Sequence, residues 1–338
     1  MPFLIVSNIS KQGLGDFKLE NITFAQRKNQ KIAIAGETGS GKSTLLKIIA
    51  GLEQQDTGKV LFKGEVVKGP SESLIPGHPS IGYLTQDFEL PKFLRVEQVL
   101  EYANNLHPKK AQELFEVCEI AHLLQRKTDE LSGGERQRIA LTKLLITSPQ
   151  LLLLDEPFSN LDMMHRAILK NVLRKICRQL KITCILVSHD PADVLAWADK
   201  VIVMKNGRIV QKDTPKKIYN KPVDEYTAGL FGTYNLIGAT LVTQLNKVLR
   251  LKSTDTPQLI RPEHLKLVKK KNGALTGAVA DVSFFGSYYE IEVAIGEDHL
   301  LIKRKRTKLK KGDNVHVRLS RKHILPIGAP KDAGVEGV

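Results

Sequence analysis

The chain contains 338 residues, of which 42% are hydrophobic and 26% charged, and its formal net charge is +15. This length exceeds the size at which one hydrophobic core usually keeps growing, so two domains are expected. No apolar run approaches the roughly 20 residues needed to cross a bilayer, which excludes a chain that itself spans a membrane. The first residues hold one short apolar stretch, Phe3–Val6, with no basic region before it, and this predicts a cytoplasmic protein without a secretory signal.

The positive charge is concentrated towards the end of the chain, where residues 236–338 hold 19 Lys and Arg against 10 Asp and Glu. Such an excess attracts nucleic acid or an anionic membrane surface, and charge alone does not distinguish the two. The three cysteines are odd in number and form no Cys-x-x-Cys pair, which argues against a disulfide framework and a zinc site. We expect them to be thiols of the core: Cys118, Cys177 and Cys184.

Residues 1–235 alternate short β-branched or Leu-rich runs with helical patterns, which predicts an α/β domain with a mainly parallel sheet. Three of the runs are Lys31–Ala35, Leu151–Leu154 and Thr183–Val187. Because the four leucines show no alternation, we expect their strand to be covered on both faces and to lie in the centre of the sheet.

Two later segments differ from this alternation. Helical stretches without a convincing strand predict a helical subdomain at about residues 87–149, inserted into the α/β domain. Further on, Asn206-Gly207 separates Val201–Met204 from Arg208–Val210. Asn-Gly suits a type I′ turn, so these residues predict a hairpin near the edge of the sheet.

From residue 236 the helical periodicity disappears and short β-like runs follow one another, among them Gly277–Val282, Tyr288–Ala294 and Asn314–Leu319. This pattern predicts a small all-β domain over residues 236–328, with a loose tail at residues 329–338. The segment Tyr226–Asn235, which contains two glycines, is the predicted connection between the two domains.

Residues 36–43 fit the phosphate-binding P-loop pattern, and they follow a predicted strand and open a predicted helix, as that pattern requires. Backbone N–H groups of such a loop turn towards the β-phosphate, and the start of the helix adds partial positive charge. Lys42 would reach the β- and γ-phosphates, and Ser43 would bind Mg²⁺. The alternative is a glycine-rich turn that merely connects strand to helix. The predicted nucleotide-binding residues are Gly36, Glu37, Thr38, Gly39, Ser40, Gly41, Lys42, Ser43 and Thr44.

Two acidic residues follow the buried leucine strand. Asp155 ends the run and would hold Mg²⁺ beside the P-loop, directly or through water. Glu156 stands next to it, where a carboxylate could orient and deprotonate the attacking water. The alternative is a helix-capping acidic pair.

The segment Leu131-Ser132-Gly133-Gly134-Glu135, followed by Arg136-Gln137-Arg138, resembles the signature motif of the ATP-binding cassette (ABC) ATPases. It stands shortly before the acidic strand, as in that family. Ser132 and Glu135 also satisfy a capping box for the helix that follows, and both interpretations can hold together.

Other positions resemble the remaining motifs of the family, in the same order along the chain. The resemblance implies that Gln86 senses Mg²⁺ and the nucleotide, that Asp162 links two facing subunits and that His189 holds the γ-phosphate. Glu156, His189 and Gln86 are therefore the expected catalytic residues. The expected Mg²⁺ ligands are Ser43, Gln86 and Asp155.

The resemblance also implies a dimer, because in this family ATP lies between the P-loop of one subunit and the signature motif of the other. A homodimer is the simplest arrangement, and a pair with a related ATPase is the alternative. Ser132, Gly133, Gly134 and Glu135 would then contact ATP from the opposite subunit. The family's aromatic residue that stacks on adenine is replaced here by Leu14 or Phe17, and Phe17 as a plain core residue is an equal alternative.

The second domain resembles the small β-barrel regulatory (TOBE) domain of importer ATPases that serve iron(III), sulfate, molybdate, polyamines or sugars. The residues that carry this resemblance are Ile260–His264 and the later run 277–327. Together the two resemblances imply an α/β P-loop NTPase with an inserted helical subdomain, followed by an OB-like barrel.

The function implied is ATP hydrolysis that powers import through a separate membrane permease, with a periplasmic or extracellular solute-binding protein acting indirectly. The chain would lie at the cytoplasmic face of the membrane as a peripheral protein, with Asp87–Arg95 against the permease. Iron(III) or an oxyanion is the expected cargo.

Two alternatives belong to other classes. A soluble ABC ATPase acting on nucleic acid or ribosomes is opposed by the single cassette and the missing zinc-type cysteine pairs, so no nucleic acid is expected. A nucleotide-binding module without turnover is opposed by Glu156 and His189. The basic run from Lys303 to Lys311 is most simply a solvated face, because no aromatic residue interleaves its charges; an anionic lipid or small anion is the other interpretation.

Overall fold

The structure is a computed structural model, and it describes residues 2–13, 15, 17–85, 89–159, 161–238, 241, 258–269 and 274–326. The chain divides into two compact units, Met1–Lys216 and Lys217–Val338. This division lies before the predicted connection Tyr226–Asn235. The predicted domain boundary at residue 235 stays a prediction.

A six-stranded sheet forms the first layer of the first unit, in the order β10-β9-β3-β8-β7-β6. Neighbouring strands are parallel except β10, which pairs antiparallel with β9 at the edge. Asn206 and Gly207, with φ of 47° and 71°, make the predicted turn of that hairpin. The strands are β3 (Lys31–Ala35), β6 (Ile81–Leu84), β7 (Leu151–Asp155), β8 (Thr183–Val187), β9 (Lys200–Lys205) and β10 (Arg208–Asp213).

Strand β7 is buried along its whole length, as its unbroken leucines predict. Its predicted place in the centre of the sheet is wrong, since it lies second from the edge, between β8 and β6. Burial on both faces follows from the layers packed above and below a strand, and it does not require a central position.

A second sheet of the first unit is antiparallel, in the order β2-β1-β4-β5. Its apolar side chains share one core with β3, β7 and the first helix. The sequence pattern had predicted only a mainly parallel sheet. The strands are β1 (Leu4–Gln12), β2 (Lys18–Gln26), β4 (Thr57–Phe62) and β5 (Glu65–Val66).

Helices of the first unit begin and end at residues typical of such positions. The first helix lies between Gly41 and Gly51, which are both in the left-handed region of the Ramachandran plot, where glycine is favoured. Residues 89–149 hold three helices and two 3₁₀ turns, which is the region of the predicted helical subdomain. The helices are α1 (Lys42–Ala50), α2 (Val96–Ala103), α3 (Pro108–Val117), α4 (Gly133–Leu145), α5 (Met163–Gln179) and α6 (Pro191–Trp197).

The second unit is built mainly on two antiparallel sheets, of order β11-β12-β18 and β13-β17-β14-β15-β16. Two short helices precede them, α7 (Pro215–Asn220), which straddles the division, and α8 (Glu225–Leu230). The strands are β11 (Asn235–Ile237), β12 (Gln258–Ile260), β13 (Lys266–Val268), β14 (Leu275–Phe284), β15 (Tyr289–Ile295), β16 (Asp298–Arg304), β17 (Asn314–Arg318) and β18 (Leu325–Pro326).

One buried arginine fixes the first part of the second unit. Arg261 is only 1% exposed, and its guanidinium donates hydrogen bonds to the carbonyls of Tyr219, Ala228, Gly232 and Thr233. These bonds connect the segment that precedes β11 to the β sheets. They explain why that segment, predicted as a connection, groups with the second unit.

Across the part of the chain that the structure describes, no helix combines the length and the apolar character that crossing a membrane demands.

Candidate functional site

The loop between β3 and α1 has the backbone that its glycines permit. Gly39 and Gly41 have φ of 82° and 95°, a region that other residues rarely adopt. A Cβ atom on Gly36 would lie 2.3 Å from the carbonyl oxygen of Met204. The glycines at these three positions are therefore required by the loop geometry, and Glu37, Thr38 and Gly39 form its exposed tip.

Lys42 is the first residue of α1 and points back into this loop. Its Nζ donates to the carbonyls of Gly36 at 2.9 Å and Glu37 at 2.6 Å, and it lies 3.3 Å from Ser40 Oγ. The side chain is 5% exposed. Burial lowers its pKa, and the carboxylates of Glu156, Asp155 and Glu37 oppose that shift. The amine thus lies in an electronegative pocket of backbone oxygens.

Asp155, at the end of β7, connects two other elements of the sheet layer. Ser43 Oγ donates to one carboxylate oxygen at 3.0 Å, and the Tyr83 hydroxyl donates to the other at 2.8 Å. Burial and the neighbouring Asp155 raise the pKa of Tyr83, so the phenol keeps its proton. The sequence did not predict a role for Tyr83, because a tyrosine within a strand is common and indicates no particular function.

Glu156 and His189 lie side by side at the ends of β7 and β8. His189 Nδ1 is 3.0 Å from Glu156 Oε2. Glu156 has a φ of 47°, an uncommon conformation for a non-glycine residue that marks functional sites when the surroundings hold it. Here the Glu156 N–H donates to the Val187 carbonyl at 3.1 Å, and Ser159 Oγ donates to the Glu156 carbonyl at 2.7 Å.

The residues expected to bind Mg²⁺ fit that ion in chemistry. Magnesium prefers hard oxygen ligands, and the Ser43 hydroxyl and the Asp155 carboxylate lie within 3.0 Å of each other. The third expected ligand, Gln86, lies outside the described residues. Leu14 also lies outside them.

Phe17, the other candidate for adenine stacking, is half-buried and packs against the main core. A Cβ atom on Gly41 would lie 3.3 Å from its ring, so the ring is next to the start of α1. Thr44, half-buried, follows in the same helix turn. The role of Phe17 in base recognition stays a prediction.

The signature segment caps helix α4. Glu135 N–H donates to Ser132 Oγ at 3.4 Å, and the Ser132 N–H donates to Glu135 Oε2 at 2.8 Å, so the predicted capping box is confirmed. Burial raises the pKa of Glu135, but the bonds to Ser132 and the charge of Arg126 outweigh it and lower the pKa. Ser132 and Gly133 are exposed.

The same segment contacts the start of α5. A Cβ atom on Gly134 would lie 2.5 Å from the His165 ring, and His165 Nδ1 is 2.5 Å from the Asp162 carboxylate. Asp162 also accepts hydrogen bonds from the N–H groups of Met164 and His165, which lower its pKa. The structure thus places Gly134 and Asp162 in one group, and Lys42, Ser43, Asp155, Glu156 and His189 in another.

A cluster of charged residues, not anticipated from the sequence, connects α5 to the segment after His189. Arg166 forms ion pairs with Asp190 and with Asp193, at 2.7 Å for the latter. Lys170 also pairs with Asp193, whose side chain is fully buried. Arg166 lies one helical turn after Asp162. Its two partners, Asp190 just before α6 and Asp193 on α6, are too far from it in sequence to form a recognisable motif.

Two family models match the chain: "ABC transporter" over residues 19–159 and "TOBE domain" over residues 259–327. The spermidine/putrescine import ATP-binding protein PotA of Clostridioides difficile is 32% identical, covering 81% of this chain and 83% of that protein. The sulfate/thiosulfate import ATP-binding protein CysA of Synechocystis is 32% identical, covering 86% and 84%. The Fe(3+) ions import ATP-binding protein FbpC of Pseudomonas fluorescens is 32% identical, covering 92% and 90%.

Among solved structures, cbiO1 from Clostridium perfringens, described as part of the ABC transporter complex cbiONQ, has a TM-score of 0.57 and 29% identity and covers 64% of this chain and 90% of that one. From these matches and the geometry of the site, the chain belongs to the ABC transporter ATPases, and within them to proteins that join the ATPase to a TOBE domain.

Proposed function

We propose that this chain is the subunit that hydrolyses ATP to power import of a small solute through a separate membrane permease. One observation carries the proposal. Five residues converge at the carboxyl ends of β3, β7 and β8: Lys42, Ser43, Asp155, Glu156 and His189. The names of the three relatives all include import, and the import activity proposed for this chain rests on that similarity.

Lys42 and the loop before it bind the phosphates in this proposal. The Lys42 amine, now held by backbone carbonyls, would donate to the β- and γ-phosphate oxygens, and the N–H groups at the start of α1 would donate to the β-phosphate. Mg²⁺ bound by Ser43, Asp155 and Gln86 would neutralise charge on the phosphates. The hydrogen bond from Tyr83 fixes the rotamer of Asp155.

Glu156 is the proposed general base. Its carboxylate would accept a proton from the attacking water. His189, which is 63% exposed in its side chain and 3.0 Å from Glu156 Oε2, would orient that carboxylate through one ring nitrogen and donate to the γ-phosphate through the other. Gln86 would complete the catalytic set.

The signature residues act from a second subunit in this proposal. Ser132, Gly133, Gly134 and Glu135 would contact ATP bound to the opposite subunit, and Asp162 would lie at the contact. Support comes from Met163 and Met164, which follow Asp162 and are 90% and 72% exposed. Two large apolar side chains left in water beside a charged cap are typical of a surface that a partner covers.

The permease contact is proposed at the segment before α2. Phe93 is 72% exposed with a φ of 65°, and Tyr102 of α2 is 79% exposed. Phe93 lies within the predicted contact Asp87–Arg95, whose first two residues lie outside the described residues, and Tyr102 lies on the helix that follows this segment. The chain would therefore act at the cytoplasmic face of the membrane, with a solute-binding protein on the other side.

The cargo proposed is iron(III) or an oxyanion. Iron and sulfate appear in the names of two of the relatives, and polyamines in the name of the third. An uptake assay tests the proposed cargo. Membrane vesicles that contain the chain and its permease are supplied with iron(III), sulfate and spermidine in parallel, and the uptake of each is measured. Uptake of spermidine alone would contradict the proposed cargo without affecting the importer assignment.

The importer assignment is tested by purifying the tagged chain from detergent-solubilised membranes, with RNase and DNase present. A multi-span permease should co-purify and be identified by mass spectrometry. Recovery of ribosomal or DNA-repair proteins instead would replace the importer with a soluble ABC ATPase.

A further inference from the structure

The second unit contains a groove of about 850 Å³. Residues of both outer strands of the five-stranded sheet line it, Leu267 and Val268 of β13 and Arg304 at the end of β16, together with residues of β15 and β17. The loop after β16 completes the wall. We call this cavity the β13–β16 groove.

All Asp, Glu, Lys and Arg side chains that line the β13–β16 groove are cations. They are Lys269, Arg304, Arg306 and Lys308. Within the described ranges none of these four forms an ion pair, whereas Lys303, which precedes Arg304 on β16, pairs with Glu290 at 3.4 Å. Four like charges around one concavity concentrate positive potential, and an anion placed among them would be attracted by all four.

The floor of the groove is apolar rather than charged. Leu267 and Leu309 pack partly against the core of the second unit, and Val315 is buried. Tyr289 lines the groove, with its ring 4.9 Å from that of Phe284. Sites for organic ligands have volumes of roughly 300–1,000 Å³ and combine apolar walls with a few polar groups. A bare inorganic oxyanion would leave this floor uncovered.

The structure also separates the cations of the basic run Lys303–Lys311 into those that line the groove and those that do not. Arg304, Arg306 and Lys308 line the groove, whereas Lys305, Lys310 and Lys311 do not. The antiparallel register places Tyr289 directly across from Arg304. An aromatic ring therefore stands beside the charges although none interleaves them in the sequence.

We propose that the β13–β16 groove binds a small soluble organic anion that carries a phosphate together with a flat apolar group. The phosphate lies among Arg304, Arg306 and Lys308, because guanidinium groups bind phosphate oxygens in pairs of hydrogen bonds. The flat group lies against Tyr289 and Leu309.

The test is calorimetric titration of the full-length chain with 1-naphthyl phosphate, with MgADP saturating the nucleotide site. The triple variant Arg304→Gln, Arg306→Gln, Lys308→Gln should bind at least roughly tenfold more weakly. The matched variant Lys305→Gln, Lys310→Gln, Lys311→Gln removes the same charge from the same run and should bind within about twofold of the unmodified chain. Thermal unfolding of both variants checks that the second unit remains folded.

A competition titration with inorganic phosphate distinguishes the contribution of the phosphate group from that of the flat apolar group. Tyr289→Leu should weaken binding of 1-naphthyl phosphate while leaving the affinity for inorganic phosphate unchanged. If the two triple variants lost affinity equally, the binding would reflect general attraction by a basic surface, and the proposed site would be wrong. The absence of any saturable binding, or binding only to phosphatidylglycerol vesicles in sedimentation, would overturn it as well.

Discussion

Glu156 combines an uncommon backbone conformation with a contact to His189, and its assigned role is tested by one substitution. Glu156→Gln keeps the shape but removes the base, so we expect ATP binding to remain and the steady-state turnover to fall by roughly 10²-fold or more. Phosphate release and nucleotide binding are measured on the same preparation. Glu65→Gln, on the exposed strand β5, is the control. Unchanged turnover in Glu156→Gln would remove Glu156 from the catalytic set.

The cysteines provide a second prediction at the residue scale. Cys118 and Cys184 are buried as predicted, whereas Cys177 is only partly buried, with its Sγ 3.4 Å from that of Cys184. The hydrogen bond from Cys184 lowers the pKa of Cys177, and the charge of Lys31 lowers it further against the effect of burial. Burial raises the pKa of Cys118 to about 11, and the same contact and burial raise that of Cys184.

Cys177 should therefore react with iodoacetamide faster than the other two cysteines, because the thiolate is the reactive form. Its alkylation should also begin at a lower pH than theirs. Mass spectrometry after timed labelling over a pH series measures the three rates. In Lys31→Gln the pH profile of Cys177 should move upward. Faster labelling of Cys118 than of Cys177 would contradict the assignment.

At the scale of elements, the ion pairs between α5 and the segment after His189 predict a positioning role for Arg166. Arg166→Gln removes the link between Asp162's helix and the aspartates at the start of α6. We expect kcat to fall several-fold with little change in KM for ATP, because the substrate contacts of Lys42 and Ser43 are untouched. Steady-state ATPase kinetics measure both parameters.

Lys175 on the same helix supplies the control for Arg166. It pairs with Glu119 at 2.7 Å on the surface, and exposed pairs contribute about 0–1 kcal/mol. Lys175→Gln should leave kcat unchanged. A fall in both variants would indicate loss of helix stability rather than positioning of the His189 segment.

Helix α4 allows the two interpretations of Ser132, cap and nucleotide ligand, to be separated. Ser132→Ala loses the cap and should reduce the free energy of unfolding by about 1 kcal/mol. Ser132→Asp keeps an equally good cap but places a negative charge where phosphate is expected. We expect near-normal stability and lost ATPase activity in Ser132→Asp, measured by denaturant unfolding and phosphate release. Full activity in that variant would leave the cap as the only role of Ser132.

At the scale of the whole molecule, the proposed dimer makes its own prediction. ATP should drive Glu156→Gln into a dimer, since bound ATP joins two subunits and is not consumed. Adding Met163→Glu and Met164→Glu to that variant places charges on the exposed apolar pair and should prevent dimer formation while monomeric ATP binding persists. Light scattering coupled to size-exclusion chromatography measures the mass. A dimer that forms equally in both variants would exclude this surface as the contact.

Much of the first unit follows from local sequence patterns. Strands β3, β7 and β8, the β9–β10 hairpin and the capping box of α4 match the expectations closely, because each depends on residues adjacent in the chain. Strand β16 was not anticipated, since its basic end reads as a solvated run although Ile302 is buried. The antiparallel sheet of β1, β2, β4 and β5 was also missed. Its β1–β2 and β4–β5 pairs are local, but the pairing of β1 with β4, which joins them into one sheet, brings together residues far apart in sequence.

The sequence by itself determined the phosphate loop, the acidic pair Asp155 and Glu156 and the two-part organisation, because each is a contiguous pattern whose geometry follows from a few backbone positions. Only the tertiary structure decided which side chains support them: Tyr83 reaches Asp155 across 72 positions, and Arg166 reaches Asp193 across 27. The β13–β16 groove likewise exists only because the sheet places residues from four of its strands and from the loop after β16 around one cavity. Hydrogen bonds, ion pairs and potentials depend on distance in space, and that distance is set by the packing of whole elements.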